Sequence, residues 1–146
     1  MRPSLRPALA GLCLSAVLAV PAAAEVFAGP VEARVLRVID GDTFLAEALV
    51  WPGHSVRVSV RIRGIDAPEM RGRCAAEKAA AREARAALAA LLGDGPVTVS
   101  NIGGAKYSGR VLADVADGEG RAVAPALLRL GLARPPYDGG RRPPFC

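Results

Sequence analysis

Apolar and polar residues alternate with a period of two over residues 56–63. Val56, Val58, Val60 and Ile62 fall on one face, and Arg57, Ser59, Arg61 and Arg63 on the other. The pattern predicts a strand with one buried face and one face carrying three guanidinium groups. Gly64 and Pro68 stop the strand, and Asp66 and Glu69 follow on the loop. A rougher alternation over residues 31–39 runs into Asp40-Gly41, a strong turn dipeptide, and resumes at Asp42-Thr43-Phe44-Leu45, which predicts a hairpin. Residues 97–100 and 110–115 add two strands, with a glycine-rich loop between them and a turn at 117–120.

From residue 74 to 92 the period changes. Ala80, Ala84, Ala87, Leu88 and Leu91 recur at spacings of three and four, which predicts an amphipathic helix that Gly93 terminates. Its alanine-rich face suits close approach to a sheet or barrel. Residues 121–130 predict a second helix, with Val123, Leu127, Leu128 and Leu130 apolar, Pro125 tolerated near the first turn and Gly131 at the end. From Arg134 onward, prolines and paired glycines predict irregular structure. Three strands, a helix, two strands and a helix make a mainly β fold with α: a five-stranded barrel of the OB type with two to three helices. Such barrels close their edges and bind oligonucleotides on one face.

Length and charge refine this picture. The 146 residues suffice for one domain and not two. Arg2 and Arg6 precede an apolar run from Ala8 to Val20 that ends in Pro21-Ala22-Ala23-Ala24, the pattern of an export signal cleaved after Ala24. About 13 apolar residues are short for a membrane span, which needs roughly 20. The expected organisation is a signal over 1–24, a domain over 25–137 and a Pro/Gly-rich tail over 138–146. The expected destination is secreted or periplasmic, with no stable membrane association after cleavage. Taking Arg2 and Arg6 from the 19 basic residues leaves 17 against 14 acidic, a net charge of +3 rather than +5. This mild excess favours a polyanionic partner.

Cysteine and histidine narrow the chemistry. Cys13 lies in the signal, so Cys74 and Cys146 remain, and an even pair in an oxidising compartment reads as a disulfide. It would tie the tail to the start of the first helix, worth about 4 kcal/mol in the chain-entropy account. His54 is the single histidine and reads as a loop residue, so triads and HExxH zinc sites lack their imidazoles. Asp40, Asp42, Asp66 and Glu69 come from two loops. Converging, they would repel unless a cation lay among them, and all-oxygen ligation suits Ca²⁺ or Mg²⁺. Equally, Asp40 and Asp42 can be plain turn residues and Asp66 an Asx-turn residue before Pro68. Arg57 and Arg63 either widen the basic surface or form a solvated strand face.

Four motifs occur in order: residues 38–43 (VIDGDT), 61–69 (RIRGIDAPE), 106–113 (KYSGRVLA) and 131–133 (GLA) with Tyr137. Together they resemble the staphylococcal nuclease (thermonuclease) family over about residues 31–137. The resemblance implies an OB-fold barrel and a phosphodiesterase acting on DNA and RNA with little sequence preference, single strands favoured. It implies Asp42, Asp66 and the main-chain carbonyl of Ala67 as ligands of one Ca²⁺. Glu69 would activate water, and Arg61 with Arg110 would grip the scissile phosphate. Lys106, Tyr107 and Tyr137 would hold the neighbouring phosphate and sugar. Ala105, where an acid is common, and Ser108, an extra residue, depart from the pattern.

The chemistry wants these residue types in any case. A phosphodiester repels an incoming hydroxide until cations neutralise its oxygens, and arginine's planar fork meets two of them at once. The rival readings are a non-catalytic OB module that binds single strands and a domain whose Asp/Arg set is only a salt-bridge network. A monomer is expected.

Overall fold

The computed structural model describes residues 25–105, 109–137, 139 and 142–146. The signal expected over 1–24, and Lys106 and Tyr107, lie outside the described residues. Six strands and two helices follow in order: β1 (Val26–Phe27), β2 (Val31–Asp40), β3 (Thr43–Trp51), β4 (His54–Ile62), α1 (Ala75–Leu92), β5 (Val97–Gly104), β6 (Arg110–Ala116) and α2 (Val123–Arg129). Hydrogen bonding runs β1-β5-β2-β3-β4-β6, and β5 also pairs with β6. The five strands β2 to β6 therefore close into a barrel, and β1 is an added edge on β5. All pairings are antiparallel except β4 with β6, which α1 and β5 separate in the chain.

Alternation explains the core. Val31 and Ala33 of β2, Phe44, Ala46 and Ala48 of β3, Val60 and Ile62 of β4, Val97 and Val99 of β5, and Ala113 and Val115 of β6 fill the interior. Leu88 and Leu92 of α1 and Val123 and Leu127 of α2 complete it. Fully buried Phe44 and Ile62 each contribute roughly 2–3 kcal/mol of apolar burial. The register of β2 against β3 slips between Val35 and Arg37. Such a bulge shifts the side-chain phase, so Val35 and Val38 both pack on the core. That slip is why the alternation over 31–39 reads as rough.

Several elements differ from the sequence expectation, and β5 runs on to Gly104 instead of ending at Ser100, because Gly103 and Gly104 pair with Leu112 and Val111 of β6 rather than lying in the loop. The two-residue β1 shows no periodicity and went unread. His54 begins β4 rather than lying in the loop, because Pro52-Gly53 alone makes the turn between Trp51 and its partner His54. Arg121 precedes α2, since Asp117 accepts the Arg121 N–H at 2.9 Å and its Nε at 2.7 Å, holding the chain in a turn. That pairing keeps the Asp117 carboxyl below the usual range, through the Arg121 backbone N–H first and its side chain second.

Helix α1 starts where expected. Cys74 is its N-cap, with Sγ accepting the Glu77 N–H, and the buried Glu77 carboxylate reaches back to the Arg73 N–H at 3.0 Å. This reciprocal arrangement satisfies two otherwise orphaned donors. Gly93, at φ 64°, ends the helix. Its buried stripe is Glu77, Ala81, Ala84, Leu88 and Leu92, so Ala80, Ala87 and Leu91 flank the stripe rather than centre it. The chain is closed on itself by Cys74–Cys146, with Cα atoms 6.1 Å apart.

Small residues bring α1 onto the β2–β3 turn. A Cβ added at Gly41 would lie 2.5 Å from Cβ of Ala84 and 2.9 Å from Cβ of Ala67. Gly41→Ala should therefore lower stability by roughly 1–3 kcal/mol through overpacking. Gly95→Ala, which meets nothing within 4 Å, should be near neutral. Urea midpoints of the two variants check the contrast.

Candidate active site

The site gathers where the β2–β3 turn, the end of β4 and the loop after it meet. Asp42, the second residue of the two-residue turn, is 3% exposed. Its Oδ1 accepts from the Thr43 hydroxyl at 2.8 Å and lies 2.9 Å from Nη1 of Arg61, while Oδ2 accepts the Ala67 N–H at 2.9 Å. Its main-chain carbonyl takes the Ile62 N–H at 2.8 Å. One residue thus clips the hairpin to both β4 and the loop. Asp40, next to it, accepts the Met70 N–H at 3.0 Å and pins the far end of the same loop. Asp40 is therefore a structural acceptor, and Asp42 is more than a turn residue.

Arg61 faces outward near the end of β4, opposite Thr43. Its fork spans Asp42 Oδ1 at 2.9 Å and Asp66 Oδ1 at 3.4 Å. Gly64, at φ 83°, lets the chain reverse so that Asp66 comes back beside Arg61. Asp66 is 5% exposed and sits in an antiparallel bridge with Arg134 rather than an isolated Asx-turn. The bridge is two main-chain bonds, Asp66 N–H to Arg134 O at 2.8 Å and the reverse at 3.0 Å.

Two further arginines reach this carboxylate. Nε of Arg134 donates to Asp66 Oδ2 at 3.1 Å. From the tail, Arg142 places Nε 2.9 Å from Asp66 Oδ2 and Nη2 2.9 Å from Asp66 Oδ1. The same guanidinium donates to the Ala67 carbonyl at 2.8 Å and to Glu69 Oε1 at 2.5 Å. Burial works against a charge on Arg142. The Asp66 hydrogen bond and the Asp66 and Glu69 charges outweigh it and hold the group above its ordinary value, so it is cationic at any working pH. Three carboxylates, Asp42, Asp66 and Glu69, thus face three guanidinium groups, Arg61, Arg134 and Arg142.

The remaining predicted residues divide. Arg110 opens β6 opposite Ser59, two residues before Arg61 on the neighbouring strand. Val111, Ala113 and Val115 pack inward from β6, which puts Arg110 on the outward set with Arg61. Tyr137 is exposed. Arg63 is not part of a basic surface. It binds Asp114 at 3.3 Å and the carbonyls of Asn101 and Leu112, tying β4 to β5 and β6.

Arg134 and Arg142 were missed by sequence reasoning. A signal existed for Arg142: it lies four residues before Cys146, whose bond to Cys74 returns the tail to within five residues of Glu69. Arg134 has no comparable signal, because its approach depends on the path after α2.

The oxygens present suit a hard cation. Asp66 and Ala67 already direct theirs, with Glu69, onto one cationic group, and Asp42 is linked to them through Arg61. Among the described residues, Cys74, Glu77 and Cys146 are the group of three ligand-type side chains whose donor atoms lie within 4.8 Å of one another. Both sulfurs are consumed in the disulfide and Glu77 caps α1, so it offers a metal little.

Residues 59–140 match the family described as staphylococcal nuclease homologue. The match covers more than half of the chain, and the protein belongs to that family, one of nuclease-type OB domains. It takes in Arg61, Asp66, Ala67, Glu69 and Arg110; Asp42 precedes it and is joined to the group by the hairpin. No curated protein matches the chain significantly.

Asp42→Ala leaves the Ala67 N–H without its acceptor and takes from Arg61 the nearer of its two carboxylates, and should cost roughly 2–4 kcal/mol. Asp42→Asn keeps an acceptor and loses the charge, so its urea midpoint should fall between those of Asp42→Ala and the unaltered protein.

Proposed function

We propose that the protein is an exported, Ca²⁺-dependent nuclease that hydrolyses phosphodiester bonds of DNA and RNA with little sequence preference. The observation that carries the reading is the convergence of Arg61, Asp42, Asp66, the Ala67 carbonyl and Glu69 at one end of a closed barrel. Arg110 lies on the adjacent outward face. Asp42, Asp66 and the Ala67 carbonyl would hold the ion, which when bound would neutralise the phosphate and favour deprotonation of water. Glu69, the most exposed carboxylate of the set, accepts the proton of the attacking water.

Arg61 is held in place by two aspartates before substrate arrives, so little reorganisation is needed when it meets a phosphate oxygen. With Arg110 it stabilises the charge that grows on the equatorial oxygens as water adds. Single strands suit such a site, since an unpaired backbone can approach a barrel end that a duplex would span. Export follows from the leader over 1–24, with cleavage after Ala24 and a monomeric domain outside the cytoplasm. No helix among the described residues is long and apolar enough to cross a membrane.

The test is single-stranded DNA and RNA incubated with the exported protein, in Ca²⁺ or in chelator, following binding and cleavage separately. Cleavage should require Ca²⁺. Glu69→Gln should lower kcat by about 10²–10⁴ with binding retained, and Arg61→Ala or Arg110→Ala by about 10²–10³. Binding without cleavage under every condition would instead make it a single-strand binding module.

A further inference from the structure

The C-terminal tail does more than cover the barrel. The Arg142 guanidinium touches Asp66, the Ala67 carbonyl and Glu69, which are two proposed ion ligands and the proposed base. These partners put Arg142 on the Asp66 side of the donor set. The tail is also built to stay there. Arg134 donates to the Pro143 carbonyl at 2.6 Å and stacks on the Phe145 ring with its guanidinium carbon 3.8 Å from the centroid. Arg142 itself lies 5.2 Å from the same ring. Cys146 then bonds to Cys74, the N-cap of α1.

We propose that this segment is a disulfide-held latch in which Arg142 competes with the metal ion for Asp66 and the Ala67 carbonyl and withholds Glu69 from water. The proposal rests on the reading of this site as a Ca²⁺ site. A group tethered four residues from a fixed bond acts at an effective concentration in the millimolar range without needing intrinsic affinity. If the closed tail holds about nine molecules in ten, the apparent Kd for the ion rises roughly tenfold.

Opening needs a dithiol reductant. One thiolate attacks Sγ of Cys146 or Cys74, the protein disulfide breaks and a mixed disulfide forms. The second thiol then displaces it, leaving two protein thiols and an oxidised, cyclic reductant.

Ca²⁺ binding to the full mature chain, measured by calorimetry without substrate, tests this. The oxidised protein should bind weakly. Arg142→Ala should bind about tenfold or more tightly, and so should the dithiol-reduced protein and Cys146→Ser, which keep the Arg142 charge on an untethered tail. Arg71→Ala, which removes a charge from the rim of the same cleft without a contact to the carboxylates, should change Kd less than about threefold. Circular dichroism of each form confirms that the barrel is intact, and Arg142→Ala retains the disulfide if the cysteine variant unfolds.

A gain in Arg142→Ala with none on reduction reduces the effect to loss of a nearby charge and overturns the latch. Equal affinity in all forms overturns it while leaving the Ca²⁺ site in place. No binding in any form, Arg142→Ala included, overturns both.

Discussion

The structure depends on holding two nearly buried aspartates within reach of one guanidinium. Asp42 and Asp66 come from different loops, and Arg61 is the guanidinium that both share, which offsets the repulsion of two carboxylates in a poorly hydrated place. Every nearby backbone device serves that constraint. The Ala67 and Ile62 N–H groups fix Asp42, the Arg134 bridge fixes Asp66, and Asp40 fixes Met70. Gly41 allows α1 to press on the turn from outside. The barrel supplies rigidity, and the loops spend it on a few oxygens.

Much of this was legible because it follows from local chemistry. Period-two alternation found β4 and, roughly, β2, since a closed barrel has one apolar and one polar face along each strand, and the Asp40-Gly41 turn and short apolar runs located β3, β5 and β6. The alanine spacing and Gly93 found α1. The match to the staphylococcal nuclease homologue family agrees with that element order. What failed was where tertiary contact overrides the local pattern. The stripe of α1 turns toward Ala81 and Leu92 because it must meet both the turn at Gly41 and the barrel end. Arg63 lies on a solvent-type face by alternation, yet the neighbouring strands offer it carbonyl oxygens, which no one-strand pattern reveals.

The site was half legible for the same reason. Asp42, Arg61, Asp66, Ala67 and Glu69 lie in two short motifs, each set by a turn or a strand end. Arg134 and Arg142 reach them from about 70 residues away, across sequence separations of 68 and 76. Only the cysteine pair pointed to the tail, and it pointed to proximity rather than to a particular guanidinium.

Charge explains why the tail matters to the chemistry proposed for the barrel. With Arg142 in place, three carboxylates meet three guanidinium groups and the cluster, counted without Arg110 on the adjacent face, is formally neutral, so it offers an anionic phosphodiester little net attraction of its own. If a divalent ion were added with Arg142 still seated, the cluster would carry two positive charges, and the ion would share Asp66 and Ala67 with a like charge. If the ion instead replaced Arg142, the cluster would carry one positive charge, matched by the single negative charge of the substrate. Exchange, rather than addition, is therefore the arrangement in which ion and phosphodiester each find a compensated place. A tail whose covalent hold is a single reducible bond at its last residue is suited to that exchange.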